Sequence, residues 1–300
     1  MKDKMCPLCS GLLFKIITKK FRGSDGSRSI VKCKGCGLVY LRPPKTFYEN
    51  KEYYDNDQQL RDLAISDFDF EEYIKKINTD TLRRVEFITK IIKKDSSILD
   101  VGCGYGYFVK CLSDSGYKIR GVDTSRERIS VGKKKFDIDL VEEYIGGEKK
   151  IDKISDRESY DLITLFHFLE HSSEVDSVLS YLFDKLKKGG KIVIEVPAGS
   201  DYLLLNKNYG QFVYQEAHSI YFKRKHLEIF LKRNGFKKIK TMYIQRYSIL
   251  NSLNWIFRGK PQLVNPSRKV TGFISMVDKL YKWIVCKLAV SDTILIIASK

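Results

Sequence analysis

The chain has 300 residues, more than one domain usually takes, and its 43% hydrophobic and 12% aromatic content suffices for a sizeable core plus a smaller module. It starts without an apolar leader and lacks the roughly 18 uncharged apolar residues in a row that a bilayer span needs, so a soluble cytoplasmic protein with no transmembrane segment is expected. The net charge of +17 is uneven: residues 1–45 hold 11 Lys+Arg against 2 Asp+Glu, 46–200 hold 25 against 30, and 201–300 hold 18 against 5.

Basic ends around a mildly acidic middle suit nucleic acid, a membrane surface or an anionic small substrate such as a sugar nucleotide, and equally a solvated lysine-rich face. The first motif is a pair of knuckles, "CPLC" (Cys6, Cys9) and "CKGC" (Cys33, Cys36). Two C-x-x-C turns present four thiolates to one tetrahedral ion, which points to zinc; unpaired thiols and a redox pair are the alternatives. Four protein ligands leave no open position, so the metal is expected to be structural. "LLFKIITKKF" and "SIVKC" supply hairpin strands, and Pro43-Pro44 closes the module. Cys103, Cys111 and Cys286 lack partners at ligand spacing and read as packing residues.

A polar, tyrosine-rich connector follows, containing Tyr53 and Tyr54. From about Asp67 to Lys94 apolar residues recur at helical period, as one helix or as two divided near Asn78-Thr79-Asp80. Ile98-Leu99-Asp100-Val101 reads as a buried strand leading into glycines at 102, 104 and 106, which let the backbone turn sharply and approach a ligand. The dinucleotide fingerprint G-x-G-x-x-G fails, because Tyr107 stands where its third glycine belongs. The next strand ends at Asp123, spaced to accept hydrogen bonds from a ribose diol. "YDLITLF" (160–166) and "KIVIEVP" (191–197) continue a parallel sheet, separated by a helix expected from Glu174 to Lys188 and closed by Gly189-Gly190. The repeated βαβ order makes the core a doubly wound α/β sheet.

After the fourth core strand comes "HFLEH" (His167, Glu170, His171), and past the fifth "YQEAHSIYF", in which His218 has a pKa suited to taking a proton and Glu216 can orient it or share the task. His226, in an amphipathic helix, reads as a surface residue. Residues 244–290, with Tyr247, Trp255, Trp283 and an apolar-periodic run from Phe273, form an insertion that can shape an acceptor site, make a dimer contact, rest on a membrane or simply pack. "DTILIIAS" (292–299) is a final strand.

The run D100-V-G-C-G-Y-G, with Asp123, "YDLITLFHFLEH" and "LKKGGKIVIEVP", resembles the consecutive motifs of class I S-adenosylmethionine-dependent methyltransferases. With the ribbon ending "CGLVYLRPP" and the later "AHSIYF", the chain is similar to zinc-ribbon methyltransferases related to deoxysugar C-methyltransferases of polysaccharide pathways. The resemblance implies a Rossmann-like methyltransferase sheet with a small N-terminal zinc ribbon and a C-terminal helical insertion: ribbon 1–45, helical connector 46–95, methyltransferase domain 96–300 with the insertion at 244–290. It implies S-adenosylmethionine bound through Asp100, Gly102, Gly104, Gly106, Asp123, Thr124 and His167, with Glu142 or Glu143 near the adenine. It places His218, Glu216 and His171 at the acceptor, and has Tyr53 and Tyr54 cover the pocket. In the sugar C-methyltransferases a glutamate directly precedes the histidine matched by His218; Ala217 stands here, which leaves oxygen and carbon acceptors both open. The expected acceptor is a sugar, nucleotide-linked sugar or glycan intermediate. A zinc-containing RNA methyltransferase and an inactive methyltransferase-like interaction module are the alternatives.

Overall fold

A buried parallel sheet needs strands that are apolar on both faces, and that pattern organises the second half of the molecule. The computed structural model describes residues 5–45, 69–145, 159–261 and 271–300; Tyr53 and Tyr54, with most of the connector, lie outside the described residues. Its strands are β1 (Phe14–Thr18), β2 (Ser29–Cys33), β3 (Val39–Arg42), β4 (Ser97–Val101), β5 (Lys118–Asp123), β6 (Leu140–Glu142), β7 (Tyr160–Phe166), β8 (Leu186–Pro197), β9 (Ile220–Tyr221), β10 (Lys237–Ile244) and β11 (Thr293–Ser299). Seven of them form one sheet in the order β6-β5-β4-β7-β8-β11-β10, and four form a second in the order β1-β2-β3-β9. The pairs β4/β5, β4/β7 and β5/β6 are parallel, with Asp123 of β5 level with Glu142 of β6. The chain order reverses at β4, where the next strand in sequence lies on one side and β7 on the other, so the carboxyl ends of β4, β5 and β7 flank a crevice of the kind that binds ligands in open α/β sheets.

The chain divides into two compact units, each assembled from separate stretches of the sequence. One takes residues up to Pro44, Glu195–Ile229 and Thr241–Ile296; the other takes Lys45–Ile194, Phe230–Lys240 and Ile297–Lys300.

In the second unit, helix α1 (Phe70–Thr89) is continuous through Asn78-Thr79-Asp80. The polar triplet is accommodated: Asn78 accepts the Tyr107 hydroxyl at 2.9 Å and Asp80 pairs with Arg83 at 3.3 Å. Asp69 caps the helix by accepting from the backbone N–H groups of Glu71 and Glu72, which themselves place negative charge at the N-terminus. Helices α2 (Tyr107–Asp114), α3 (Arg126–Phe136) and α4 (Val175–Lys185) follow β4, β5 and β7. α4 stops three residues before the expected end, and β8 starts at Leu186, ahead of the glycine pair. Its last carbonyls find a partner elsewhere: Lys300 Nζ donates to the carbonyls of Phe183 and Leu186 at 2.6 and 2.8 Å.

In the first unit the ribbon is larger than its sequence suggested. β9, from the segment "AHSIYF", pairs antiparallel with β3, placing Val39 opposite Tyr221 and Tyr40 opposite Ile220. Phe21, Ile30, Val39 and Leu41 pack with Tyr214 and Tyr221 into one core, so this segment is a structural part of the ribbon. The unit also holds α5 (Lys207–Val213), α6 (Arg224–Arg233, which continues past Ile229), α7 (Ile249–Arg258) and α8 (Gly272–Lys287). The last two occupy most of the expected insertion between β10 and β11.

Candidate functional site

The glycine loop is tied down by the strand beside it. The N–H groups of Gly102 and Cys103 both donate to the Val122 carbonyl, at 2.8 and 3.0 Å, and the Gly104 N–H donates to Asp123 Oδ2 at 2.8 Å. The Ser125 N–H donates to Asp123 Oδ1 at 2.9 Å. A carboxylate offers about four lone-pair sites, so two remain for a vicinal diol. Thr124 lies half-buried beside it, and Ser125 caps α3 through its hydroxyl.

Glycines 102 and 104 both adopt positive φ, 76° and 55°, yet a side chain would meet different things at each. A Cβ on Gly102 would lie 2.6 Å from the Phe168 ring. Among the described residues, a Cβ on Gly104 would find only the Tyr73 hydroxyl, at 4.0 Å. Backbone that turns left-handed, holds its N–H on an acid and faces open space is a cradle for a ligand. Gly106, at φ 80°, starts α2, where a Cβ would strike Ile138 and Leu140.

Asp100 lies in β4. It is 3% exposed and accepts the Thr164 hydroxyl at 2.7 Å. Burial pushes its carboxyl up to about 7, against the pull of Thr164 and of Arg84. The Thr164 bond links β4 to β7. On the neighbouring strand, the Glu143 N–H donates to the Asp123 carbonyl at 2.9 Å, and the side chain is buried while Glu142 is half-buried.

Helix α1 contributes groups that sequence reading treated only as helical spacing. Tyr73 stacks edge-on against Tyr105 of the loop, centroids 5.2 Å apart, and Phe70 does the same at 5.7 Å. Burial raises the Tyr73 phenol above its ordinary value. Arg84 lies over the Phe166 ring, 4.8 Å from its centroid. The signal available in the sequence was the Phe70/Tyr73 pair of aromatics at i, i+3 just before a glycine loop.

Past β7, His167 takes a positive φ of 56°, which a non-glycine residue adopts only when the surroundings hold it there. Its Nδ1 lies 3.0 Å from Glu170 Oε1, and His171 Nε2 lies 4.0 Å from the same oxygen. Glu170 is 1% exposed, so one buried carboxylate meets the His167 imidazole and lies near that of His171, and the "HFLEH" spacing does bring its three polar members together.

In the ribbon unit the expected Glu216–His218 pair separates. Glu216 Oε1 meets the Arg28 guanidinium at 3.0 Å, and it is Gln215 Nε2 that faces His218 Nε2. A half-buried acid beside an arginine is well satisfied as an ion pair, so one oxygen of Glu216 is engaged by Arg28. His218 is buried with its ring 5.6 Å from that of Tyr221. Ala217 is buried as well. His226, expected at the surface, is fully buried: its Nδ1 accepts the Lys223 N–H and its Nε2 donates to the Cys36 carbonyl at 3.3 Å. Desolvation lowers its pKa to about 4, so it is the neutral tautomer that bridges α6 to the second knuckle.

The four knuckle cysteines converge. Their sulfurs all lie within 4.8 Å of one another, with Cys6–Cys36 at 3.6 Å and Cys9–Cys33 at 3.5 Å. Burial pushes the Cys6 and Cys36 thiols up. At Cys33 burial works in the same direction, but the Cys36 backbone N–H and the Cys9 thiol outweigh it and bring the group down to about 7.

The profile of a family described as "Methyltransferase domain" matches residues 70–241. The mitochondrial ubiquinone biosynthesis O-methyltransferase of Schizosaccharomyces pombe is 27% identical over 144 residues, covering 45% of this chain and 52% of that protein. The malonyl-[acyl-carrier protein] O-methyltransferase of Priestia megaterium is 31% identical over 135 residues, 44% of each. The chain thus spans about half the length of these curated relatives. A SAM-dependent methyltransferase from Archaeoglobus fulgidus shares the fold with a TM-score of 0.54 at 23% identity, covering 78% of this chain and 100% of that one. Phosphoethanolamine N-methyltransferase 2 of Haemonchus contortus, solved with S-adenosyl-L-methionine, does so with a TM-score of 0.54 at 16% identity, covering 87% and 62%.

Proposed function

The chain belongs to the methyltransferase-domain family, and from that premise we propose that it transfers the methyl group of S-adenosylmethionine to an oxygen of a small-molecule acceptor. The observation that carries this is the open cradle at Gly104, closed on one side by an acid that keeps acceptor capacity for a ribose diol. The bound donor supplies a sulfonium methyl for in-line displacement. Gly102–Gly106 and Asp123 hold the nucleoside in place, Tyr73 covers the loop, and His167 borders the carboxyl end of β7. What remains for the protein is to align the acceptor and to take its proton. We assign that proton to His171, which lies 4.0 Å from the buried Glu170 carboxylate, with His218 as the second candidate base. Glu216 is assigned to the Arg28 ion pair instead.

Oxygen ranks before carbon as the acceptor atom because the curated relatives are O-methyltransferases by name. The sugar, nucleotide-sugar or glycan acceptor remains a narrower proposal that rests on the ribbon and on residues 214–222. We also infer that Cys6, Cys9, Cys33 and Cys36 hold a structural Zn2+. A tetrahedron with bonds of about 2.3 Å has edges of about 3.8 Å, close to the two sulfur separations of 3.5 and 3.6 Å.

Purified protein incubated with methyl-labelled donor and a panel of phenols, carboxylates and sugar nucleotides tests the reading, with the labelled atom located by NMR. Transfer confined to nitrogen or carbon rejects oxygen as the acceptor. Calorimetry that detects neither the donor nor its demethylated product rejects the cradle.

A further inference from the structure

A helix at the surface of a protein ordinarily turns its apolar stripe inward. Helices α7 and α8 do the opposite. The face of α7 toward the protein carries Asn251, Ser252 and Trp255, all buried, while Leu250, Leu253 and Phe257 at i, i+3, i+7 face out. On α8 the inward face carries Asp278, Tyr281 and Val285, while Phe273, Met276, Leu280 and Trp283 recur along the outer side. Phe257 is 80% exposed, Phe273 74% and Trp283 60%.

Polar pins fix this orientation. Asp278 Oδ1 accepts the Ile249 N–H at the start of α7, at 2.7 Å, and Oδ2 pairs with Lys282. The Tyr281 hydroxyl lies 2.7 Å from the Ser252 hydroxyl and 3.1 Å from that of Tyr202. Rotating either helix to hide its apolar side would break these bonds and expose the Trp255 and Val285 side chains now buried, so the outward face is built into the fold.

Its charge identifies what it meets. Among the described residues from Arg246 to Asp292 there are six basic side chains, Arg246, Arg258, Lys260, Lys279, Lys282 and Lys287, and the two acids, Asp278 and Asp292, are both buried. The module therefore displays positive charge alone around a ridge of aromatic and aliphatic groups. A second copy would set like charge against like charge. An anionic lipid surface satisfies both features at once: lysines at the headgroups, apolar side chains at the acyl boundary and Trp283 between them. At ten and sixteen residues the helices are too short to cross a bilayer. We propose that α7 and α8 form an interfacial anchor that docks the protein on anionic phospholipid membranes.

The test uses the full chain and vesicles of phosphatidylcholine with and without phosphatidylglycerol. The protein is expected to float with the anionic vesicles at low salt and not with the neutral ones. Trp255 is buried and Trp283 exposed, so the emission of Trp283 should shift to shorter wavelength on binding, and Trp283→Phe should remove the shift while leaving flotation. Phe257→Ser and Phe273→Ser should each weaken binding about tenfold or more, and Lys279→Gln or Lys287→Gln about fivefold each. These positions are exposed, and unchanged circular dichroism verifies that each variant folds. No flotation on anionic vesicles overturns the proposal. So does flotation without a change at Trp283, or a lipid-free dimer that shields Trp283 from an aqueous quencher.

Discussion

Replacing Gly104 by alanine separates what the loop does for folding from what it does for binding. At φ 55° the alanine pays the left-handed backbone cost of about 1–2 kcal/mol. Among the described residues its methyl group meets nothing closer than the Tyr73 hydroxyl at 4.0 Å, so none of them adds packing strain to this. With ~2–4 °C per kcal/mol for chains near this size, the melting temperature should fall by about 2–8 °C. Cofactor binding should suffer separately, because the methyl occupies the space the ligand approaches; a clash of this kind costs about 1–3 kcal/mol, or roughly 5- to 150-fold in affinity. Gly102→Ala is the control. Its Cβ would lie 2.6 Å from the Phe168 ring, so it should lose stability well beyond the backbone cost. Thermal unfolding with and without S-adenosylmethionine, together with calorimetric titration, reads both quantities. If Gly104→Ala binds the donor as tightly as the natural chain, or unfolds as readily as Gly102→Ala, the open cradle is not where the ligand lies.

Asp123→Asn leaves a single carbonyl oxygen to receive the N–H groups of Gly104 and Ser125 and the diol. At about 1.5–3 kcal/mol per charge-assisted bond, loss of two to the ligand should weaken donor binding by roughly two to four orders of magnitude in titration calorimetry. Burial raises Asp201 to about 6 from an unfolded value of 3.8, so the folded state binds the extra proton and stability should fall as pH rises through that window. Asp201→Asn, which can still accept from Leu203 and meet Tyr209, should flatten urea-denaturation stability between pH 4 and 6 by up to about 3 kcal/mol. Removing metal with a chelator, or replacing Cys9 by alanine, should release stoichiometric zinc by elemental analysis and lower the ribbon's resistance to proteolysis. Glu216→Gln should lower stability through loss of the Arg28 pair and change the turnover number little, whereas His171→Asn should cut turnover by roughly 10²–10⁴ in a methyl-transfer assay.

The parts of this molecule legible in its sequence are those whose physics is local. Glycines at 102, 104 and 106 after a buried strand, and an acid at the end of the next, define the loop and its partner because a β-strand and one helix fix their separation. Two C-x-x-C turns announce four converging sulfurs for the same reason. What was hidden depends on contacts between distant segments. Tyr73 and Arg84 look like ordinary helical positions until α1 packs on the loop. The glycine pair at 189–190 suggested the end of a helix, but the side chain of Lys300, over a hundred residues on, donates to the carbonyls near its actual end. Residues 249–287 show helical period without revealing which way the apolar side turns, since the pins that decide it are a serine, a tyrosine and an aspartate that look like the polar face.

The same distinction explains why Glu216 and His218, two residues apart, part company. The strip from Tyr214 to Phe222 is stitched to the ribbon along both edges: Arg22 donates its N–H to the Tyr214 carbonyl, Glu216 returns one to Arg22, and Leu41 donates to Ser219. Glu216 is thereby carried to Arg28, and His218 is left facing Gln215, which can both donate to a neutral imidazole and present an oxygen to Arg22. The knuckles stand at the other side of this module, where the Cys36 carbonyl receives His226 from the helix that follows the strip. The structural metal proposed for the knuckles would thus be linked to the helix after the strip through one buried imidazole, that of His226.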